Sequence, residues 1–179
     1  MLDAAQEVLL ANGMHDTTMA DIAVAAGLGK GTVYLYFESK QALLAALRRR
    51  YVEQIATELR ASQTKADSAA DEIARLVRAL ITEGTRRPDL HHLLFHAAGI
   101  EEKDAFAPVT AIFAEVVARG QFDVSDTNLA TQFVLGGAHA ALVAAAHGAP
   151  AKRRRIIDEA TVLSLRALGV GRAGRGAHT

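Results

Sequence analysis

Apolar residues along this chain return every three or four positions and almost nowhere every second position. That is the period of a helix face, not of a half-buried strand, so the pattern predicts an all-α fold. Only three prolines and 5% aromatic residues, with abundant Ala, Leu, Arg and Glu, point the same way. Glycines and capping residues cut the pattern into about nine helices. Leu2, Ala5, Val8 and Leu9 define the first, which Asn12-Gly13 closes. Thr18 with Asp21 fits a capping box, opening a short helix that stops at Gly27. A second short helix covers about 30–37, and Ser39 caps a long one running through Leu44 and Leu47 to about Ala61. Further helices are predicted over 67–86, 89–98 and 104–119. Another runs from Ser125 or Asp126 to Ala146, and the last from Pro150 to Leu168. The stretch 169–179 is rich in Gly and Ala without periodicity and is expected to be disordered.

Composition excludes several functions. A chain of 179 residues that is 50% hydrophobic can bury a core without disulfide or metal staples. It has no cysteine, which removes disulfide frameworks, thiolate zinc sites and cysteine nucleophiles. No apolar run approaches the ~20 residues of a membrane span. Asp3 and Glu7 stand where a signal peptide would carry Lys or Arg. A cytoplasmic location and no membrane partner are therefore expected. Lys plus Arg and Asp plus Glu are both 20, so any nucleic-acid role must rest on a local motif.

Residues 19–38 carry that motif. Two short helices crossing closely need a small residue where they touch, a residue tolerating positive φ in the turn, and an apolar residue from the second helix. Ala23, Gly27 and Val33 stand at those offsets, and Ile22 and Leu28 can fill the joint. Val33 and Phe37 then face inward, leaving Lys30 with Tyr34, and Thr32 with Tyr36, on outward stripes. Gly29 and Gly31 would let the second helix approach a phosphate backbone. Thr17, Thr18 and Lys40 flank the motif at helix N-termini, where amides attract phosphate. The same spacing also suits a plain helical corner.

The run Leu2-Asp3-Ala4-Ala5, Gly13, Thr17-Thr18-Met19-Ala20-Asp21-Ile22-Ala23 and Ala26-Gly27-Leu28-Gly29-Lys30-Gly31-Thr32-Val33-Tyr34-Leu35-Tyr36-Phe37-Glu38-Ser39-Lys40-Gln41-Ala42-Leu43 resembles the DNA-binding domain of TetR/AcrR-type transcriptional regulators. The resemblance covers about the first 47 residues; beyond them only the general pattern is similar, as in Pro88-Asp89-Leu90 leading a short helix. It implies a three-helix helix-turn-helix head over 1–47 and an effector-binding and dimerisation domain over 48–168. It also implies a homodimer on a palindromic operator of double-stranded DNA, a repressor released when a small molecule binds. Thr18, Tyr36 and Lys40 stand where the family contacts phosphate; Lys30, Gly31, Thr32 and Tyr34 stand where it meets bases or nearby phosphates. Leu35 departs from the pattern, which is more often polar or aromatic there; it either reads a thymine methyl or packs. The family's basic arm would stand ahead of Leu2: either the protein lacks it, or the start at Met1 falls short of it. Residues 1–50 set Lys30, Lys40, Arg48, Arg49 and Arg50 against Asp3, Glu7, Asp16, Asp21 and Glu38, so DNA affinity is expected to be modest and salt-dependent.

Other constellations carry less. Gly27-Leu28-Gly29-Lys30-Gly31-Thr32 fails as a phosphate loop: the lysine is followed by glycine and no strand precedes it. His92 and His96 share a helix face but lack a third ligand, so no metal site is read. With Phe95, Phe106 and Phe113 they are candidates for lining a pocket for a largely apolar effector. Lys152-Arg153-Arg154-Arg155 reads as a solvated face paired with Asp158 and Glu159 one turn on. No serine sits at a strand-to-helix elbow, so no catalytic set and no cofactor are expected. Leu129, Phe133, Gly136, Gly137, Ala140 and Ala144 give one helix a small-residue face, and Val162, Leu165 and Leu168 stripe the last, as a two-fold four-helix bundle requires. A helical interaction module that keeps the fold without reading DNA is the alternative function.

Overall fold

The computed structural model describes residues 1–62, 68–97 and 106–171, with the side chains of His96 and Ala97 outside that description. Among the described residues the chain is all helical, with nine α-helices and no strand. They are α1 (Leu2–Asp16), α2 (Met19–Ala25), α3 (Lys30–Tyr36), α4 (Lys40–Ser62), α5 (Ala69–Gly84), α6 (Pro88–His92), α7 (Ala107–Arg119), α8 (Thr127–Ala145) and α9 (Pro150–Ala167). A π-helical turn, Leu93–Ala97, continues α6. Most of the segment 169–179, and the ends of the helices predicted over 89–98 and 104–119, lie outside the described residues.

Helix starts follow their caps. The Thr18 hydroxyl accepts from the Asp21 amide at 3.2 Å and the Asp21 carboxylate accepts from the Thr18 amide at 2.8 Å, completing the capping box of α2. Ser39 accepts from the Ala42 amide at 3.1 Å, Ser68 from Asp71 at 3.1 Å, and Asp126 from Asn128 and Leu129, both at 2.9 Å. Gly13 interrupts α1 with φ 83°, so the regular helix ends there and Met14–Asp16 form a separate turn.

Two compact units emerge. The first joins Met1–Val52 to the described part of Arg87–Ala105; the second joins Glu53–Arg86 to the described part of Phe106–Thr179. α6 thus groups with the first three helices, touching α1. In the first unit Ala5, Leu9, Ile22, Ala23, Val33, Leu43 and Leu47 are buried.

The second unit packs α8 against α5, α7 and α9. Its core holds Ile73, Leu76, Val77 and Ile81 of α5, Val109, Ile112, Phe113 and Val116 of α7, and Val134, Ala138 and Leu142 of α8. Thr131, Thr161 and Ser164 are buried, yet each hydroxyl donates to a carbonyl of its own helix four residues back, at 2.7, 2.7 and 2.8 Å. Buried Glu72 pairs with Arg119. By length and composition α8 is long and apolar enough to cross a membrane, which corrects the expectation that no apolar stretch approaches that length. It packs one face on α5, α7 and α9 and leaves the other exposed.

Gly84 tests how tight this core is. A Cβ there would stand 2.0 Å from Leu142 Cδ1, and Leu142 is itself buried. Gly84→Ala should gain about 1 kcal/mol of helix propensity and lose about 1–3 kcal/mol to overpacking. Net destabilisation is expected in urea unfolding; a more stable variant would mean the core yields.

Candidate nucleic-acid interface

α2 and α3 meet at the joint the spacing predicts. Gly27 turns the chain at φ 66°, where a side chain would be strained. The Leu28 amide donates to the Ala23 carbonyl at 2.9 Å, closing the corner. Ile22, Ala23 and Val33 are buried, Phe37 is half-buried and Leu28 is 36% exposed.

With Val33 inward, the far side of α3 faces out. Lys30, Gly31, Tyr34, Leu35 and Tyr36 are exposed and Thr32 is half-exposed. Tyr36 is 69% exposed, so its hydroxyl stands clear of the head.

Two flanking residues have different roles from those predicted. Thr17 is buried and its hydroxyl donates to the Gly13 carbonyl at 2.8 Å. The break at Gly13 exposes that carbonyl and folds Thr17 over it, so Thr17 has no hydroxyl to offer a phosphate. Lys40 is half-buried; its ammonium donates to the Met14 carbonyl and, at 2.6 Å, to that of Thr17. An ammonium has three donors, so two of Lys40's are committed to carbonyls at the end of α1. Thr18 is exposed, but its hydroxyl is engaged in the capping box, also donating to Asp21 Oδ2 at 2.7 Å.

Of the other four Lys and Arg residues among the first fifty, two are engaged. Arg50 pairs with Asp3 at 2.7 Å. Arg48 is 2% exposed and donates through Nε and Nη2 to the Leu94 carbonyl at 3.1 and 2.7 Å. Its guanidinium lies 5.5 Å from the centre of the Phe95 ring. Tyr51, His91 and Phe95 complete this cluster, with ring centres 4.9–5.9 Å apart and Tyr51 Oη 3.2 Å from His91 Nδ1. Sequence reasoning singled out His92, which is exposed, and missed buried His91, Arg48 and Tyr51.

Of the five pocket candidates, His92 and Phe95 belong to the first unit and Phe106 and Phe113 to the second. Phe95 packs in the Arg48 cluster of the first unit; the side chain of His96 lies outside the described residues. Phe113 is a core residue of the second unit. Phe106 meets His139 edge-on at 5.9 Å in that unit.

The small-residue face behaves otherwise. Phe133, Gly136, Gly137, Ala140, Ala144 and Val162 are exposed, and Leu165 is half-buried. Phe133, Gly137, Ala140 and Ala144 line a shallow apolar groove of about 470 Å³ between α8 and α9. In the basic run, Arg155 pairs with Glu159 at 2.9 Å, which also raises the guanidinium's pKa. Asp158 reaches Arg78 of α5 instead of a neighbour on its own helix.

A tri-helical head with a glycine-turned corner and an outward second helix defines a helix-turn-helix DNA reader. Family models match nearly the whole chain: bacterial regulatory proteins of the tetR family over residues 1–47, and an AefR-like transcriptional repressor C-terminal domain over 61–169. The chain belongs to the tetR family of transcriptional regulators, and its head is the family's DNA-binding domain. A fatty acid metabolism regulator protein of Bacillus subtilis is 32% identical over 74 residues, 39% of this chain and 38% of that protein. The chain thus spans under half the length of that relative. Among solved structures, a tetR-family regulator from Shewanella superposes with TM-score 0.76 at 21% identity, covering 93% of this chain and 95% of that one. The transcriptional regulator FadR of Bacillus subtilis, in complex with stearoyl-CoA, superposes with TM-score 0.72 at 19% identity, covering 94% and 96%.

The caps and Lys40 make the head's stability separable from its DNA contacts. Thr18→Ala should cost about 1 kcal/mol through removal of the cap, and Lys40→Ala about 1.5–3 kcal/mol through removal of charge-assisted bonds. Both should appear in thermal melts without DNA; unchanged melts would mean the bonds contribute nothing. The Thr18 hydroxyl and amide hold the Asp21 carboxyl below its usual range. A carboxyl lowered on folding stabilises above its unfolded pKa and loses that contribution as pH falls through the lowered value. Melts of the wild type and Thr18→Ala should therefore draw closer in acid without meeting, because the hydroxyl still accepts from the Asp21 amide there; a gap that does not narrow would mean that the Asp21 carboxylate adds nothing to the cap.

Proposed function

We propose that the chain is a sequence-specific repressor that binds a palindromic operator as a homodimer and is released by a largely apolar small molecule. The observation that carries this reading is the outward face of α3, polar and aromatic around buried Val33. Residues 1–47 form the DNA-binding domain and 48–168 the effector-binding and dimerisation domain, in the cytoplasm. Lys30, Gly31, Thr32 and Tyr34 meet bases or adjacent phosphates; Tyr36, the third N–H of Lys40 and, once its hydroxyl proton turns from Asp21 to the operator, Thr18 meet phosphate. Lys30 in the head and Arg49 just beyond it are the exposed Lys and Arg residues among the first fifty, so few phosphates are neutralised per head.

The uncovered faces of α8 and α9 support dimerisation: exposed Phe133, Val162 and Leu163 surround glycines and alanines that allow close helix approach. Phe106 is a candidate for the effector site, and the named activity of the fatty acid relative, with the stearoyl-CoA bound by FadR, makes long-chain acyl-CoA the first effector to test. An acyl chain presents the apolar surface that such a helical domain can bury.

Binding selection from random DNA duplexes at moderate salt should recover an inverted repeat with half-sites about one turn apart or slightly more. Failure to enrich any sequence would favour an interaction module. Lys30→Ala should lower the slope of log K against log salt by about 0.9 for each phosphate that Lys30 neutralises. An unchanged slope would remove Lys30 from the backbone contacts. In light scattering, the wild type should be a dimer and Gly137→Arg a monomer that still melts cooperatively, because a side chain at Gly137 meets nothing in its own chain. A dimeric Gly137→Arg would move the interface elsewhere.

A further inference from the structure

We infer that Leu35 is a specificity-determining residue that reads a thymine methyl group in the major groove, an inference that rests on the DNA-binding reading above. Leu35 is 86% exposed, so it does not pack, and the alternative left open by its departure from the family pattern is closed. On a 3.6-residue helix Gly31 and Leu35 lie together on the side opposite Val33. Val33 is fully buried, so the outermost line of α3 is a glycine followed one turn on by a leucine. Lys30 and Tyr34 flank that line on one side, Thr32 and Tyr36 on the other.

A large apolar side chain at the outermost point of a head whose other groups there are polar does nothing for folding. Leucine has no hydrogen-bonding group, so neither a phosphate nor a polar base edge can satisfy it. The C5-methyl of thymine is the apolar feature that base pairs present in the major groove. Gly31 beside it has no side chain to hold the helix away, and a Cβ built there meets nothing.

The test uses the full chain and an operator recovered by selection from random duplexes. Each thymine of the half-site is replaced by deoxyuridine, which deletes only the methyl, and affinities are measured for the wild type and for Leu35→Ala. At one position the wild type should lose about fourfold per half-site, the equivalent of one buried methyl, and on the order of fifteenfold when both half-sites are changed. Leu35→Ala should bind the uracil operator as the wild type does and show no such loss. Equal methyl sensitivity in both proteins, insensitivity of the wild type at every position, or a selected half-site without thymine would each overturn the assignment. If no operator is recovered at all, the DNA-binding reading fails and this one with it. Leu35→Ala removes no buried side chain, so its melting should match the wild type.

Discussion

A helix of seven residues does not hold itself together in water. Forming its first turn is costly, and isolated helices shorter than about 12–15 residues are marginal. Both α2 and α3 are that short, so the surface that meets DNA exists only because the rest of the head imposes it. Three constraints do so. Val33 anchors α3 in the core, Gly27 turns the corner at a φ other residues resist, and the Thr18–Asp21 box satisfies the amides that would otherwise fray α2. Lys40 adds a fourth by drawing the carbonyls of Met14 and Thr17 toward the start of α4. A residue proposed to contact phosphate is thereby also a structural tie. Loss of DNA binding on its replacement has two physical sources, which a melt without DNA separates.

The second unit solves a different problem. α5, α7 and α8 bury their large aliphatic residues against one another, and the hydroxyls of Thr131, Thr161 and Ser164 are returned to their own helices. What remains outside is not polar. Leu129, Phe133, Val143, Val162 and Leu163 are exposed, interleaved with Gly136, Gly137, Ala140 and Ala144. A monomer gains nothing from keeping such a strip in water, whereas a second copy can approach closely along the small residues and cover it.

How much of this was legible in the sequence depended on how local the cause was. Helix starts were readable because Thr18, Ser39 and Asp126 each act on an amide two or three residues away. The corner was readable because Ala23, Gly27 and Val33 stand within eleven consecutive residues. The exposed strip on α8 followed from its repeat of small residues. The Arg48–Tyr51–His91–Phe95 cluster was not readable. It joins α4 to α6 across forty or more residues, and burying an arginine is favourable only because the Leu94 carbonyl and the Phe95 ring meet it there. The histidines illustrate the same limit. Choosing His92 over His91 required the phase of a five-residue helix that passes directly into a π turn. Thr17 was misread because Gly13, which the sequence marked as a helix stop, also leaves a carbonyl that the threonine covers.

Charge accounting then bears on how the head can choose its site. Of the five basic residues in the first fifty, Arg48 is buried, Arg50 faces Asp3, and Lys40 is bound to two carbonyls. A reader rich in phosphate contacts binds all sequences well and discriminates among them through a small remainder. A reader with few such contacts has little non-specific affinity, so a larger share of its binding must come from the base edges it touches. Under the proposed assignment that role falls to the hydroxyls of Thr32 and Tyr34, to Lys30, and to the apolar line of Gly31 and Leu35. Hydroxyls donate or accept and so tolerate several bases, while a methyl group distinguishes thymine from the other three. On that assignment the narrowest discrimination available to α3 lies with Leu35, its exposed side chain without a polar atom.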